Sequence, residues 1–363
     1  RCVDLRRKGL YTNVRRSILV WPILNFCLSL ELFVPKTTKK SPDLDRFSKN
    51  YLRQWNKRAT VRSTEPYTIR ESDTRSYTIP ETMQPLANEP EVRALGKAAV
   101  RTLELQTFHN FLDDIARGEI DGVTAMCGRL ANDEFSVSFP DSARQVALTV
   151  ATDEAYHAFV AREYMKEIET VLGVEPVGVP PKSSAVDCAL EWVETKAPDA
   201  LKHDFWVITL CFAEHLITHE LLDFKRDSEP GNAFHHVLSE HLTDEGRHQI
   251  FFEEVLRHFW KGLTEKRRKQ IGKVLPDFLA AFHFGWFPGI VDWNKAALRG
   301  LGFKPKQAER IVKQCYARLY EESSKLKYDS PTVSHSESLM VRSELLAHAP
   351  TRKLLVDAEW VRP

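Results

Sequence analysis

The sequence predicts an all-α protein, a bundle of long helices, and three observations support that fold class. Apolar residues recur three and four positions apart over long stretches between Glu91 and about Leu326, which is the period of an amphipathic helix. Alternating apolar and polar runs that would suit a sheet are few. The breaks between the periodic stretches have turn-forming or helix-ending sequences, namely Asn132-Asp133, Pro140, Pro176 to Pro181, Pro198-Asp199, Pro230-Gly231 and Gly302. We therefore expect one helical bundle over residues 90–330.

Length and composition fit a globular protein and exclude several function classes. The chain has 363 residues, of which 43% are hydrophobic and 28% charged, enough to bury a large core. Its 51 Lys and Arg residues nearly balance 50 Asp and Glu residues, so we expect neither nucleic acid nor a membrane as a partner. Its six cysteines form no CxxC pair, which favours a cytoplasmic location. The absence of GxGxxG and GxxxxGK(S/T) motifs excludes the usual nucleotide-binding loops.

Residues 1–35 are predicted to be an N-terminal extension outside the bundle. A basic start precedes an apolar run from Ile18 to Val34, an order that resembles a signal peptide or a membrane anchor. The run is interrupted by Pro22, Asn25 and Glu31, and it lacks a clean small-residue cleavage site. We therefore expect an appendage that the activity does not need.

Two more segments flank the predicted bundle. Residues 36–89 are charged and rich in proline, with one predicted helix near Asp43 to Lys57, and we expect a surface arm. Residues 331–363 are predicted to form a C-terminal tail with one helix around Glu337 to Leu346.

The helix after Pro230 has three polar residues on a face that should be apolar. That face runs through Phe234, Leu238, His241, Glu245, His248, Phe252 and Val255. At 100° per residue, positions 241, 245 and 248 fall within an arc of roughly 60°, so their side chains point to one patch. Taken alone, such a group is usually a solvated face or a satisfied core histidine.

The helix after Pro140 repeats the pattern. Its apolar face runs through Ala143, Ala147, Val150, Glu154, His157, Ala161 and Tyr164. A Glu-x-x-His pair therefore lies again where core residues are expected.

Two further helices each carry a single carboxylate on the apolar face. Glu214 is surrounded at helical spacing by bulky residues, and Glu119 lies on a face with Leu112 and Met126. Gly118 and Gly122 each weaken the second helix by up to about 1 kcal/mol relative to alanine. The competitors of Glu119 on this helix are Asp113, Asp114 and Asp121.

Taken together, these four helices predict a dinuclear metal site in the core. Four carboxylates and three histidines would cost several kcal/mol per buried ion without compensation, and no Lys or Arg recurs on these faces. Two divalent cations would compensate. A Glu from each of two helices and a Glu-x-x-His from each of the other two is the ligand set of ferritin-like carboxylate bundles. Nitrogen and oxygen donors without sulfur favour iron or manganese, and four carboxylates balance two divalent ions with room for reduced oxygen after oxidation.

At these residues the sequence resembles the AurF/CmlI family of diiron N-oxygenases, which oxidise amines, typically aryl amines. The matching motifs are Thr152-Asp-Glu-Ala-Tyr-His157 and His241-Leu-Thr-Asp-Glu-Gly-Arg-His248, with the single acids Glu119 and Glu214. The third histidine, His241, distinguishes this pattern from ordinary ferritin-like oxidases. The resemblance covers roughly residues 90–330.

The resemblance implies a ligand set and a reaction. The iron ligands would be Glu119, Glu154, His157, Glu214, His241, Glu245 and His248. Two iron ions would bind O2 as a peroxo-diferric species and pass oxygen to the nitrogen of a small amine, giving a hydroxylamine, nitroso or nitro product. A reductase, ferredoxin or NAD(P)H-dependent system would supply electrons, and a homodimer is compatible with the family. The alternatives are a diiron carbon hydroxylase or desaturase, and a non-catalytic metal-binding bundle.

Residues next to the predicted ligands have secondary roles in this interpretation. Asp153 and Asp244 each precede a predicted ligand glutamate and are candidates for orienting ligand histidines. His215 and His219 flank Glu214 on other faces of its helix. The aromatic residues between Phe278 and Trp293 are predicted to be core, with the wall of a binding pocket as the second interpretation.

Overall fold

The computed structural model describes residues 44–63, 79–80, 83–178, 184–228, 233–322 and 326–363. The predicted extension 1–35 lies outside the described residues. Those that are described form helices joined by turns and short loops, with no strand among them. The all-α prediction is confirmed.

Four helical segments carry the predicted site. The first is α4 (Lys97–Arg117), which continues through a π-helical segment (Gly118–Thr124) into α5 (Ala125–Ala131). The others are α6 (Asp141–Thr170), α8 (Lys202–Asp227) and α9 (Ala233–Gly262). The predicted turn sequences lie at or near their ends: Pro140 is the N-cap of α6, and Asn132 is the C-cap of α5. Helices α8 and α9 are long antiparallel neighbours, joined by a connection of a few residues.

The remaining helices surround this group. They are α1 (Leu44–Arg58), α2 (Thr60–Ser63), α3 (Pro90–Arg93), α7 (Ala185–Thr195), α10 (Glu265–Phe284), α11 (Phe287–Gly300), α12 (Pro305–Glu322), α13 (Pro331–Arg342) and α14 (Ala349–Asp357). Side-chain caps fix two of their starts, because Ser184 accepts a hydrogen bond from the backbone of Asp187 and Thr264 from that of Arg267. The core consists of three apolar clusters.

The described part of residues 36–89 is more than a surface arm. Helix α1 packs against α6 and α9, and Leu44 and Tyr51 are buried in the largest apolar cluster. The physical reason is its own amphipathic pattern, since Leu44, Tyr51 and Trp55 recur at helical spacing and share a face. The predicted helix over 43–57 is therefore present, but it belongs to the bundle.

The C-terminal residues also belong to the core. Two helices, α13 and α14, replace the single predicted helix, and Pro331 lies in the first turn of α13. Leu339, Leu355 and Trp360 are buried in the same cluster as α1. The segment 331–363 is thus packed against the bundle and is not a peripheral tail.

Two helical stretches are long and apolar enough to cross a membrane by length and composition alone. Among the described residues they are Asp199–Asp227, whose most apolar 18-residue window is 76% buried within the protein, and Glu265–Gly300, whose window is 39% buried. The first includes α8, whose Glu214 belongs to the candidate site, and the second includes both α10 and α11.

Candidate metal centre

The structure brings all seven predicted ligands together in the core. Their ligand atoms form two groups, each with all its atoms within 4.8 Å of one another. One group contains Glu119, Glu154, His157, His241 and Glu245, and the other contains Glu154, Glu214, Glu245 and His248. Every member is at most 4% exposed. Two adjacent groups that share two glutamates could hold a dinuclear metal site.

Individual contacts show how closely the groups meet. Nδ1 of His248 lies 2.7 Å from Oε1 of Glu154, and Nδ1 of His157 lies 2.9 Å from Oε2 of the same carboxylate. Nε2 of His241 lies 3.1 Å from Glu245 and 3.3 Å from Glu119. His241, one turn before Glu245 on α9, therefore connects the π-helical segment to the rest of the site.

Glu119 reaches the site from the π-helical segment between α4 and α5. A π turn shifts the following residues around the helix axis, and such turns are frequent at functional sites. The competing acids lie elsewhere: Asp113 and Asp114 pair with Arg117 at 3.0 and 2.7 Å, and Asp121 is exposed. Sequence periodicity placed Glu119 on the inward face, where the structure also has it, but assigned it to a regular α-helix.

Gly122 allows this segment to approach α7. A Cβ atom placed there would lie 2.8 Å from Cγ1 of Val186, closer than side chains normally pack. The glycine is therefore required by close helix packing at this point, even though it lowers intrinsic helix propensity.

Two buried aspartates orient the histidines across the helix pair. Oδ2 of Asp244 lies 3.2 Å from Nε2 of His157, and Oδ2 of Asp153 lies 3.2 Å from Nε2 of His248. Asp153 precedes Glu154 on α6 but contacts the histidine of α9, and Asp244 precedes Glu245 on α9 but contacts the histidine of α6. A proton on Nε2 leaves the Nδ1 lone pair free, and Nδ1 is the atom that faces the glutamates.

Residues from α1 and α2 hold both aspartates, a role that sequence analysis did not identify. Nε1 of Trp55 donates to both carboxylate oxygens of Asp153 at 2.9 Å. The backbone N–H and the hydroxyl of Thr60 both donate to Asp244. Arg247 pairs with Asp244 and lies 3.6 Å from Asp153. The only available signal was the aromatic residue on the apolar face of α1.

Burial and neighbouring charges shift the pKa values of the cluster residues in different directions. Burial, followed by the charge of Glu154, raises the pKa of Glu119 to about 8 and the pKa of Glu214 well above its ordinary value. Burial opposes ionisation of Glu154 too, but the charges of His248 and His157 lower its pKa. Burial and His157 disfavour charge on His241, yet the nearby carboxylates of Glu119 and Glu245 raise its pKa to about 9. The cluster therefore retains protons near neutral pH.

Unsatisfied buried atoms show that a cation fits. Six ligand atoms have no hydrogen bond of acceptable geometry in the described residues, namely Oε1 of Glu154, both carboxylate oxygens of Glu214, Nε2 of His241, Oε1 of Glu245 and Nδ1 of His248. Native proteins rarely leave such groups unpaired. Among the described residues the ion pairs of these carboxylates are with histidines and not with Lys or Arg, so metal cations are the natural partners of these oxygen and nitrogen donors.

A cavity of about 210 Å³ adjoins the cluster at Glu119. Its walls include Phe282, Trp286 and Trp293 from the aromatic region that sequence analysis placed mainly in the core. Phe278, from the same region, is fully buried in the core. The prediction of core residues therefore holds for Phe278, and the prediction of a pocket wall holds for the residues that line the cavity. His215 is buried beside Gln249 and lies outside both groups.

Comparison with known proteins supports the resemblance found in the sequence. The model of the family described as p-aminobenzoate N-oxygenase AurF matches residues 42–330, which include all seven cluster residues and begin just before α1. No curated protein matches the chain. The family is one of diiron-dependent N-oxygenase enzymes, and its match spans most of the sequence. The chain therefore belongs to the p-aminobenzoate N-oxygenase AurF family.

Proposed function

We propose that this protein is a diiron N-oxygenase that uses O2 to oxidise a small aryl amine to a hydroxylamine, nitroso or nitro product. The observation that carries the proposal is the pair of buried ligand groups that share Glu154 and Glu245. Four carboxylates would balance two divalent ions, and the three histidines would add neutral donors. The family match supports nitrogen, in preference to carbon, as the atom that is oxidised.

The residues divide between two ions. In this proposal Glu119, His157 and His241 would hold one ion, Glu214 and His248 the other, and Glu154 and Glu245 both. When bound, the two iron ions supply the redox chemistry that activates O2. Asp153 and Asp244 keep the Nδ1 atoms of His248 and His157 available by accepting hydrogen bonds from their Nε2 atoms.

The cavity would supply orientation and exclusion of water. Its aromatic walls suit the face of an aryl ring. Glu119 is the one cluster residue among its described lining residues, so a ring in the cavity presents its nitrogen to that side of the centre. An aryl amine is neutral near pH 7 and keeps its lone pair, whereas an alkyl amine must first lose a proton.

The proposal extends to the cellular setting. Each turnover that inserts one oxygen atom needs two external electrons, which a reductase, a ferredoxin or an NAD(P)H-dependent system would provide. We place the protein in the cytoplasm, where such donors occur. A homodimer is compatible with this function, and residues 1–35 are expected to be dispensable for it.

The test combines metal analysis with isotope labelling. Anaerobic loading should give two iron ions per chain, and one turnover of reduced protein with ¹⁸O2 and aryl amines should place label on nitrogen. His241→Ala should reduce or redirect turnover while the protein stays folded. His258→Ala is the matched control, since His258 is on the same helix but lies outside both ligand groups, next to Phe139 and the backbone oxygen of Ser138. One ion or none, or label found only on carbon, would contradict the proposal.

A further inference from the structure

The cavity beside Glu119 has a charge pattern that restricts its ligand. Among the described lining residues the charged ones are Asp114 and Glu119, both acidic, and none is Lys, Arg or His. Asp114 is paired with Arg117 at 2.7 Å. The metal centre adds no excess positive charge if four carboxylates balance two divalent ions. A ligand carboxylate would therefore lose its hydration without gaining a cation in this part of the protein, which is costly.

One end of the cavity is built around Gln84. Its amide nitrogen donates to Oγ1 of Thr107 at 2.8 Å and to Oδ1 of Asn294 at 3.1 Å. Thr107 is one turn before Asn110 on α4, and Asn294 follows Trp293 on α11. Gln84 thereby brings the turns that carry Asn110 and Trp293 to the same end of the cavity.

Two side chains at this end have unused hydrogen-bonding capacity. Asn110 is 6% exposed and Trp293 is 1% exposed, and both line the cavity. Oδ1 of Asn110 and Nε1 of Trp293 are buried without a hydrogen-bond partner among the described residues. Their neighbours Gln84, Thr107 and Asn294 satisfy one another. An acceptor and a donor are thus left for a ligand.

This end is distant from Glu119 along the helix. Glu119 lies nine positions after Asn110, a distance of roughly 13 Å along the helix axis at the α-helical rise per residue. A single aromatic ring with polar groups at opposite ends fits between hydrogen-bonding side chains at that separation. The cavity volume of about 210 Å³ is below the ~300–1,000 Å³ of drug-sized sites, which also indicates a one-ring ligand.

We propose that the substrate is a one-ring aryl amine whose far end carries a neutral group able to donate and accept hydrogen bonds, such as a primary carboxamide, in place of a carboxylate. Asn110 and Trp293 bind that group, and the amine points to the Glu119 side. The amine and its oxidation rest on the proposed function, whereas the preference for a neutral far end rests on the cavity itself.

The decisive experiment compares 4-aminobenzamide, 4-aminobenzoate and aniline, because the first two have nearly the same shape and differ in charge. Binding is measured by equilibrium dialysis on the full, iron-loaded protein without O2. We expect 4-aminobenzamide to bind at least tenfold more tightly than 4-aminobenzoate. Equal or tighter binding of 4-aminobenzoate, or no binding of the amide, would overturn the inference.

Variants test the two side chains directly. Trp293→Phe keeps a ring and removes the N–H, and Asn110→Leu keeps the volume and removes the amide. Each should weaken 4-aminobenzamide binding about three- to tenfold, the range for one hydrogen bond, and leave aniline binding within about twofold. Trp192→Phe, a change of the same kind outside the cavity lining, should alter neither. Unchanged amide binding in both cavity variants would overturn the assignment of the two residues.

The outcomes separate this inference from the proposed function. Tight binding of 4-aminobenzamide without oxidation in the presence of O2 and reductant would contradict the oxygenase proposal alone. Oxidation of 4-aminobenzoate together with weak binding of 4-aminobenzamide would support the oxygenase and refute the neutral far end.

Discussion

Oδ2 of Asp153 lies 3.2 Å from Nε2 of His248 on a different helix. Asp244 has the same relation to His157, at the same distance, in the opposite direction. The two Glu-x-x-His helices, α6 and α9, are therefore linked by two reciprocal hydrogen bonds outside the ligand groups. These bonds fix which imidazole nitrogen carries the proton, and so which nitrogen can bind a metal.

Replacing either aspartate should weaken metal binding without unfolding the protein. An amide in Asp153→Asn accepts hydrogen bonds less strongly and no longer holds His248 in one tautomer, so iron affinity should fall about 10- to 100-fold. Anaerobic titration with Fe(II) measures this. Asp141→Asn, at an exposed site on the same helix, serves as the control. Wild-type affinity in Asp153→Asn would show that the contact does not orient the ligand.

The contact from α2 is predicted to act through Asp244. Thr60→Val removes the hydroxyl that donates to Asp244 while keeping shape, and the backbone N–H contact remains. We expect a loss of about 1 kcal/mol in the free energy of unfolding and a few-fold loss of iron affinity. Combined with Asp244→Asn, the Thr60 substitution should have little further effect on affinity. Thr102→Val, at a half-buried threonine whose hydroxyl donates to the backbone of Ala98, should change neither quantity, and additive losses in the double variant would argue against coupling.

Crowding at Gly122 should control the position of Glu119. Gly122→Ala improves helix propensity but places a Cβ atom 2.8 Å from Val186, so the π-helical segment must shift. We expect reduced metal stoichiometry, measured by elemental analysis after anaerobic loading. Val186→Ala removes the obstructing methyl group and should restore two ions per chain in the double variant. Failure of this rescue would mean that the contact with Val186 does not control the position of Glu119.

Metal loading should release protons in a pH-dependent way. In the absence of metal, burial raises the pKa of Glu119 to about 8, and the nearby carboxylates of Glu119 and Glu245 raise the pKa of His241 to about 9 against the effect of burial. Metals bind the deprotonated groups. More protons should therefore appear on adding Mn(II) at pH 6.5 than at pH 9, and apparent affinity should rise over that range. Potentiometry in weak buffer checks this, and equal release at both pH values would contradict it.

A buried histidine far from the ligand groups should make stability depend on pH. Burial lowers the pKa of His283 to about 3, below the ordinary value of 6.5, so the unfolded chain binds a proton that the folded chain does not. Burial of neutral His283 costs no stability above about pH 6.5. The free energy of unfolding then falls as the pH decreases from 6.5 toward 3. At pH 5 the loss is about 2 kcal/mol.

Comparison with His283→Gln isolates that contribution. Urea unfolding at pH 7.5 and pH 5 should show a loss of stability about 2 kcal/mol larger in the wild type than in the variant. Other histidines titrate in both proteins and cancel in the difference. The same pH dependence in both proteins would show that His283 is protonated without unfolding.

The sequence predicted which side chains meet in the core, because helical periodicity is a local property of the chain. Helical periodicity placed Glu154, His157, Glu245 and His248 on two inward faces, and burial cost required something positive between them. Asp153 and Asp244 were identified as partners of histidines. That each aspartate contacts the histidine of the other helix was not predictable, since this depends on how α6 and α9 face each other.

Other features depended on tertiary packing and had no local signal. The π-helical segment at Glu119 appears in the sequence only as two glycines in a helix. The role of α1 was missed because its charged, proline-rich surroundings suggested a surface arm, whereas Leu44 and Tyr51 are buried. The two C-terminal helices were underestimated for a similar reason, as the burial of Trp360 is set by distant partners in α10, including Phe284.

The reciprocal bonds between α6 and α9 have a consequence for the order of assembly. Neither helix alone holds its histidine in the metal-binding tautomer, because the orienting carboxylate is on the other helix. A nascent or partly folded chain therefore presents flexible imidazoles with weak selectivity, and a defined site exists only after the two helices have docked. Ion capture is in this way coupled to completion of the fold.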